Sequence, residues 1–145
     1  MATNKLKEAK YMKDQVKQEL INKATVMLDR AYVPYSKFPV GAALVTTEGD
    51  FFSGCNIENA SYGLSNCAER TAIFKAVSEG KKSFDYMVIT GNTEGPISPC
   101  GACRQVIAEF CDAKMPVLLT NTNGDEFETT VGGLLPGAFQ AGDMA

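Results

Sequence analysis

The chain has 145 residues, of which 45% are apolar and 21% charged, with a net charge of −3. That length suits one domain around one core, and the apolar share excludes a disordered chain. A sequence pI near 5.0 disfavours a binder of long nucleic acids, which would present a basic face, and points to a small, roughly neutral ligand.

Residues 1–12 are charged and lack apolar anchors, which predicts a frayed or helical N-terminal extension to a single domain spanning 13–145. From Lys13 to Ala31, Val16, Leu20, Ala24, Met27 or Leu28, and Ala31 recur at helical spacing. This is an amphipathic helix laid on a sheet, ended by Pro34. Phe38 to Asn56 has the pattern of a hairpin turning at Glu48-Gly49-Asp50. A polar loop, Asn56 to Gly63, follows. Ser65 or Asn66 is positioned to cap a second helix reaching Glu79, with Gly80 as its stop. Ala68, Ala72, Ile73, Ala76 and Val77 form its apolar side. Tyr86 to Thr90 and Val117 to Thr120 are short apolar runs, the pattern of strands covered on both faces. Between them lie a Gly/Pro/Thr loop and a helix from Cys100 to Phe110. Phe127 to Thr130 predicts an edge strand, and Leu134-Leu135-Pro136 closes the core. The order of elements predicts an α/β domain in which an antiparallel hairpin joins parallel crossovers.

The chemistry concentrates in Cys67-Ala68-Glu69-Arg70 and Pro99-Cys100-Gly101-Ala102-Cys103. The chain holds five cysteines and no histidine, so a metal here must be bound through sulfur or oxygen. An odd thiol count argues against a disulfide framework. With no apolar leader segment near the start and no run of eighteen apolar residues, a cytoplasmic setting with reduced thiols is expected. Cys100 and Cys103 have the spacing that grips one ion, and Cys67 supplies a third thiolate. A fourth position is then left for water, as in a catalytic zinc site. Glu69, two residues past Cys67, is placed as the general acid/base. Cys67 and Cys100 both stand near helix starts, where the positive end of the helix favours thiolates. Three thiolates leave the site with surplus negative charge, and ionising water at neutral pH requires roughly 12 kcal/mol of differential stabilisation. Arg70 and Arg104 are the available counter-charges, and Arg70 is the better placed.

These motifs resemble the zinc-dependent nucleobase and nucleoside deaminases. Together with Phe38-Pro39-Val40-Gly41-Ala42-Ala43, Cys55-Asn56-Ile57-Glu58-Asn59-Ala60 and Leu134-Leu135-Pro136-Gly137-Ala138-Phe139, the chain is similar to the small homotetrameric cytidine deaminases over residues 15–140. The resemblance implies a three-layer α-β-α fold around a mixed five-stranded sheet, with one Zn²⁺ per subunit held by Cys67, Cys100 and Cys103. It implies hydrolytic deamination of cytidine and deoxycytidine to uridine and deoxyuridine plus ammonia, in pyrimidine salvage. On this resemblance a zinc-activated hydroxide would attack C4, with Glu69 shuttling protons. Asn56 and Glu58 would hold the ribose, and Phe38 with Val40 would pack on the pyrimidine. The carbonyl of Ser98 and the amide of Ala68 would hold the amino group and the O2 edge. Ala60, Tyr62 and Phe139 would reach a neighbouring subunit's ligand, and Arg70 would offset the third thiolate. The expected partner is a free nucleoside, with no nucleic acid and no membrane.

Rival readings remain at this stage. A blasticidin-S-type deaminase shares the metal motifs but differs in the ribose loop. A thioredoxin-like redox pair would use Cys100 and Cys103 alone. A closed structural zinc would recruit Cys55 or Cys111 as a fourth sulfur, although both look like core thiols. Arg104 is expected to form a surface or interface ion pair.

Overall fold

The computed structural model describes residues 2–144. Its first helix, α1 (Ala2–Leu28), takes in the Lys-rich opening rather than leaving it frayed; Met1 lies outside the described residues. Residues 4–15 are exposed, so these turns rest on good helix formers (Lys, Glu, Ala, Leu) rather than on packing. Further along, Leu20, Ala24 and Met27 are buried, the stripe that the periodicity predicts. The helix ends at Leu28, short of Ala31 and well before Pro34. There Asp29 and Arg30 donate three residues back, to Val26 O at 3.3 Å and Met27 O at 3.1 Å, tightening the last turn until it stops.

The strands β1 (Val40–Thr46), β2 (Phe51–Cys55), β3 (Phe84–Gly91), β4 (Pro116–Thr120) and β5 (Glu126–Thr130) form one sheet in the order β2-β1-β3-β4-β5. β1 pairs antiparallel with β2 and β3, β3 parallel with β4, and β4 antiparallel with β5. The parallel pair needs a crossover, which α3 (Gly101–Phe110) supplies, while α2 (Ala68–Ser78) links β2 to β3. The pleat sorts the strand residues onto two faces. Ala43, Val45, Tyr86, Val88 and Leu118 meet Leu20 and Ala24 of α1. Ala42, Leu44, Met87, Ile89, Val117 and Leu119 meet Ala72, Ile73 and Ile107 of α2 and α3. Burial on both sides is why these strands read as apolar runs without alternation. The result is the expected three-layer α-β-α architecture.

Two local features place the site. At Gly54, an added Cβ would lie 2.6 Å from Ala72 N and 2.8 Å from Ala68 O. Only a glycine lets the backbone of α2 settle this closely on β2, and α2 carries Cys67 at its head. The predicted cap of α2 is corrected: Cys67 itself is the N-cap, with no side-chain cap bond. Ser65 instead accepts from Asn59 N, and Asn66 donates to Thr71 Oγ1. Cys100 is likewise the uncapped N-cap of α3. Both helix starts therefore turn their N–H groups and positive ends toward the thiols. C-terminal to β5, a single turn, α4 (Val131–Leu134), closes the core through Leu134. Leu135 is only half-buried and Pro136 is exposed, so the closure is narrower than predicted.

The outer helix is tied to the far edge strand by charge. Lys17 Nζ lies 2.6 Å from Glu126 Oε1, and Tyr86 donates to Glu128 Oε1 at 2.9 Å. The hydrogen bond to Glu126 raises the Lys17 pKa above 10.5. Burial, joined by the bond to Glu128, raises Tyr86 above 10.0. Both shifts are upward, so both contributions are complete below about pH 10 and disappear as pH climbs through the folded-state values. Lys17→Met is expected to lower stability by under about 1 kcal/mol at neutral pH, because the pair is partly solvated. Chemical denaturation at pH 7 and pH 11 should show the gap from wild type closing at the higher pH.

Candidate active site

The two helix starts bring the thiols together. Cys67 Sγ lies 3.9 Å from Cys100 Sγ, which lies 3.3 Å from Cys103 Sγ. All three sulfurs fall within 4.8 Å of one another. Thiolates at 2.3 Å from a tetrahedral zinc stand about 3.8 Å apart, so the donors fit that ion with small adjustments. Among the described residues, neither Cys55 nor Cys111 joins the group. Both are buried, and burial pushes the Cys111 thiol up to about 12. A closed four-sulfur site thus lacks its fourth ligand, and a two-thiol redox pair would leave the converging Cys67 unexplained.

Charge is distributed unevenly over the cradle. The Cys67 thiol is pulled down to about 5, chiefly by the neighbouring Cys103 thiol and then by Arg70. Cys103, fully buried beside Cys67, is pushed up. Arg70 Nη2 donates to Cys67 Sγ at 3.2 Å, which holds its own proton more tightly. The guanidinium withdraws charge from the thiolate, the compensation that a three-sulfur site needs. Among the described residues, Arg70 Nε is buried without a hydrogen-bond partner. Arg70→Gln is expected to lower kcat by roughly 10- to 100-fold while zinc stays bound. Steady-state rates set beside metal content measure both, and an unchanged rate would remove Arg70 from the charge balance.

Glu69 is 3% exposed. Burial raises its pKa, with the Cys67 thiolate adding to the shift. A carboxyl poised above its usual range beside the cradle can both take and return a proton.

Above the cradle opens a cavity of about 280 Å³, at the small end for a ligand pocket. Phe38, Val40, Asn56, Glu58, Glu69 and Ser98 line it, with Cys67 and Cys100 at its floor. Asn56 Oδ1 accepts from Val40 N, and Asn56 Nδ2 donates to Phe38 O, both at 2.8 Å. It thereby latches the Phe38–Val40 segment, keeping one further lone pair and one further N–H for a ligand. Glu58 Oε1 accepts from the amides of Tyr35 and Ser36, and Ser36 holds its carboxyl below the usual range. Ala68 is buried at the first position of α2. Ala60, Tyr62 and Phe139 stand outside the cavity and are exposed. Tyr62 packs edge-on against Tyr35 at 5.9 Å, and Phe139 O accepts from Gln105. A larger cavity, about 540 Å³, lies under the C-terminal segment, but among the described residues it offers no metal-ligating cluster.

Sequence reasoning missed Ser36, Ile89 and Ile97, which also line the cavity. Ile89 falls in an apolar strand and Ile97 in the Gly/Pro/Thr loop, and nothing in the local pattern turns either toward a ligand. The expectation of an ion pair for Arg104 is not met within the subunit. It forms no ion pair among the described residues, and donates instead to Pro99 O, Leu134 O and Ser98 Oγ.

An open mixed sheet with three thiols and one buried carboxyl at two helix starts defines the class of zinc-dependent deaminases. Residues 14–119 match the family described as the cytidine and deoxycytidylate deaminase zinc-binding region. A protein named cytidine deaminase from Sporosarcina psychrophila is 59% identical over 88% of this chain and 94% of its own. One of the same name from Halalkalibacterium halodurans is 56% identical over 88% and 97%. The crystal structure of a cytidine deaminase from Burkholderia pseudomallei superposes with a TM-score of 0.82 at 53% identity, covering 84% of this chain and 98% of that one. The chain belongs to the cytidine deaminase family, and its cofactor is zinc.

Proposed function

We propose that the protein hydrolyses the 4-amino group of cytidine and deoxycytidine, yielding uridine or deoxyuridine and ammonia. The observation that carries this reading is the buried Glu69 beside the three-thiol cradle, at the floor of a cavity sized for one nucleoside. Cys67, Cys100 and Cys103 hold the zinc, which supplies the Lewis acidity that ionises water near neutral pH. Phe38 packs on the pyrimidine face, while Asn56 and Glu58 take the ribose hydroxyls. The Ala68 amide donates to O2, and the Ser98 carbonyl accepts from the 4-amino group. Glu69 takes a proton from the attacking water and passes it to N3. It then takes the second proton from the oxygen now bonded to C4 and delivers it to the amino nitrogen, so that the C4–N bond breaks as the C4 carbonyl forms. One water enters and one ammonia leaves, so a single carboxyl serves as base and then as acid.

The same reading makes the enzyme a cytoplasmic homotetramer. Ala60, Tyr62 and Phe139 are exposed and outside their own cavity, as residues meant for a neighbour's would be. Tyr32 at 55%, Tyr62 at 74% and Leu64 at 72% exposure leave an apolar rim for subunits to cover. No helix among the described residues is long and apolar enough to cross a membrane. A blasticidin-S-type activity is the weaker alternative, since the relatives described above bear the cytidine deaminase name.

Ammonia release from cytidine, deoxycytidine, cytosine, CMP and blasticidin S, with and without a chelator, tests the assignment. Cytidine and deoxycytidine should be turned over and the chelator should stop both. Faster release from blasticidin S, or none from any nucleoside by zinc-loaded protein, would overturn it.

A further inference from the structure

The segment from Ile97 to Cys100 enters the site as irregular backbone, without a strand or helix to hold its direction. Its N-terminal side is tied to the sheet, since Ile97 N donates to Thr120 O at 3.1 Å and the Ile97 side chain is buried. Its middle is held by one side chain. Arg104 Nη2 donates to Ser98 Oγ at 2.6 Å, Nε to Pro99 O at 2.9 Å, and Nη1 to Leu134 O at 2.7 Å. All three acceptors are uncharged, so the fork of the guanidinium serves as a geometric clamp rather than as half of an ion pair.

Two of these bonds flank a single carbonyl. Ser98 Oγ lies on one side of Ser98 O in the chain and Pro99 O on the other. Pro99 has a ring-locked φ and no N–H, so the direction of Ser98 O depends on a few remaining torsions that the two Arg104 bonds restrain. Ser98 lines the cavity beside Cys100. We propose that Arg104 is a positioning residue that aims the Ser98 carbonyl at the C4 substituent, and so sets the preference for a substituent bearing N–H. This rests on the proposed function, in which Ser98 O accepts from the 4-amino group. A helix-fastening role alone would need only the bond to Leu134.

The test compares cytidine with the ribonucleoside of 4-methoxypyrimidin-2-one, whose C4 oxygen has no N–H to donate and whose hydrolysis gives uridine and methanol. Arg104→Gln is expected to lower kcat/KM for cytidine by roughly 10- to 50-fold, the range for losing an aligned acceptor. The methoxy nucleoside should lose less than about threefold. Arg104→Lys should restore part of the cytidine rate. Ser98→Ala removes one anchor without touching the residue next to Cys103, and should show the same selective loss at smaller size. Zinc content and Tm are measured on every variant. Equal losses on the two substrates with zinc retained would overturn the proposal. So would a rate that falls only in step with zinc, with Ser98→Ala behaving as wild type. A zinc-loaded wild type that releases no ammonia from cytidine would sink the proposed function first, before any variant is compared.

Discussion

Glu69→Gln is expected to fold, to keep one zinc per subunit, and to lose turnover by about 10⁴-fold. Glutamine matches the carboxyl in volume but can neither take a proton from water nor return one. General acid/base groups contribute about 10²- to 10⁴-fold each, and Glu69 is asked to act in both directions, which places the loss at the upper end. A factor of 10⁴ corresponds to about 5.4 kcal/mol of barrier. Stability should not suffer. The side chain is 3% exposed and its pKa is raised by burial, so the fold is strained by the charged carboxylate rather than dependent on it. Tm, zinc content and kcat measured on one preparation separate the two effects. Undiminished deamination would remove Glu69 from the chemistry.

Cys103→Ala is expected to empty the site. Cys103 is fully buried in the first turn of α3, and its sulfur lies 3.3 Å from that of Cys100. Without it two thiolates remain, and the chain has no histidine to replace it. Stoichiometric zinc should be lost on dialysis and activity should fall below detection. Stability should fall as well, because zinc binds the folded state. If the wild-type site is saturated a thousandfold above its Kd, the loss is about 4 kcal/mol. A chelator should lower the wild-type Tm by a similar amount and leave the variant unmoved. Zinc uptake should also release protons, because the Cys103 thiol is pushed up and must ionise to bind. Retention of one zinc per chain by the variant would show that another ligand completes the site.

The parts of the site that were legible beforehand are those written in short range. Cys100 and Cys103 are three residues apart, Glu69 lies two residues from Cys67 and Arg70 three, and each spacing maps onto a helix start. The sheet was legible for a related reason, since apolar runs of strand length leave few arrangements other than a sheet covered on both faces. Local pattern misled where several residues competed for one role. Ser65 and Asn66 are good capping residues, yet Cys67 holds the N-cap, because Ser65 is engaged in fixing the preceding loop and Asn66 donates to the Thr71 hydroxyl within the helix. The end of α1 was misplaced because Pro34 is a strong stop signal, whereas the tightened turn at Leu28 has no residue signature.

Long-range hydrogen bonding was not legible at all. Arg104 meets Leu134 across thirty residues and Asn56 meets Val40 across sixteen. Buried Asn121 knits the β3–α3 loop to the β4–β5 turn by donating to Thr93 O, Glu94 O and Asp125 Oδ2. Such partners have no periodicity, because a side chain bonds to whatever backbone the packed elements bring near. Residue types and their spacing along helices and strands thus determined by themselves the three sulfur ligands, the carboxyl set beside them and the layers. Tertiary structure alone decided which backbone groups face the cavity and which side chains hold them there, since packing brings those partners together only once the elements have docked.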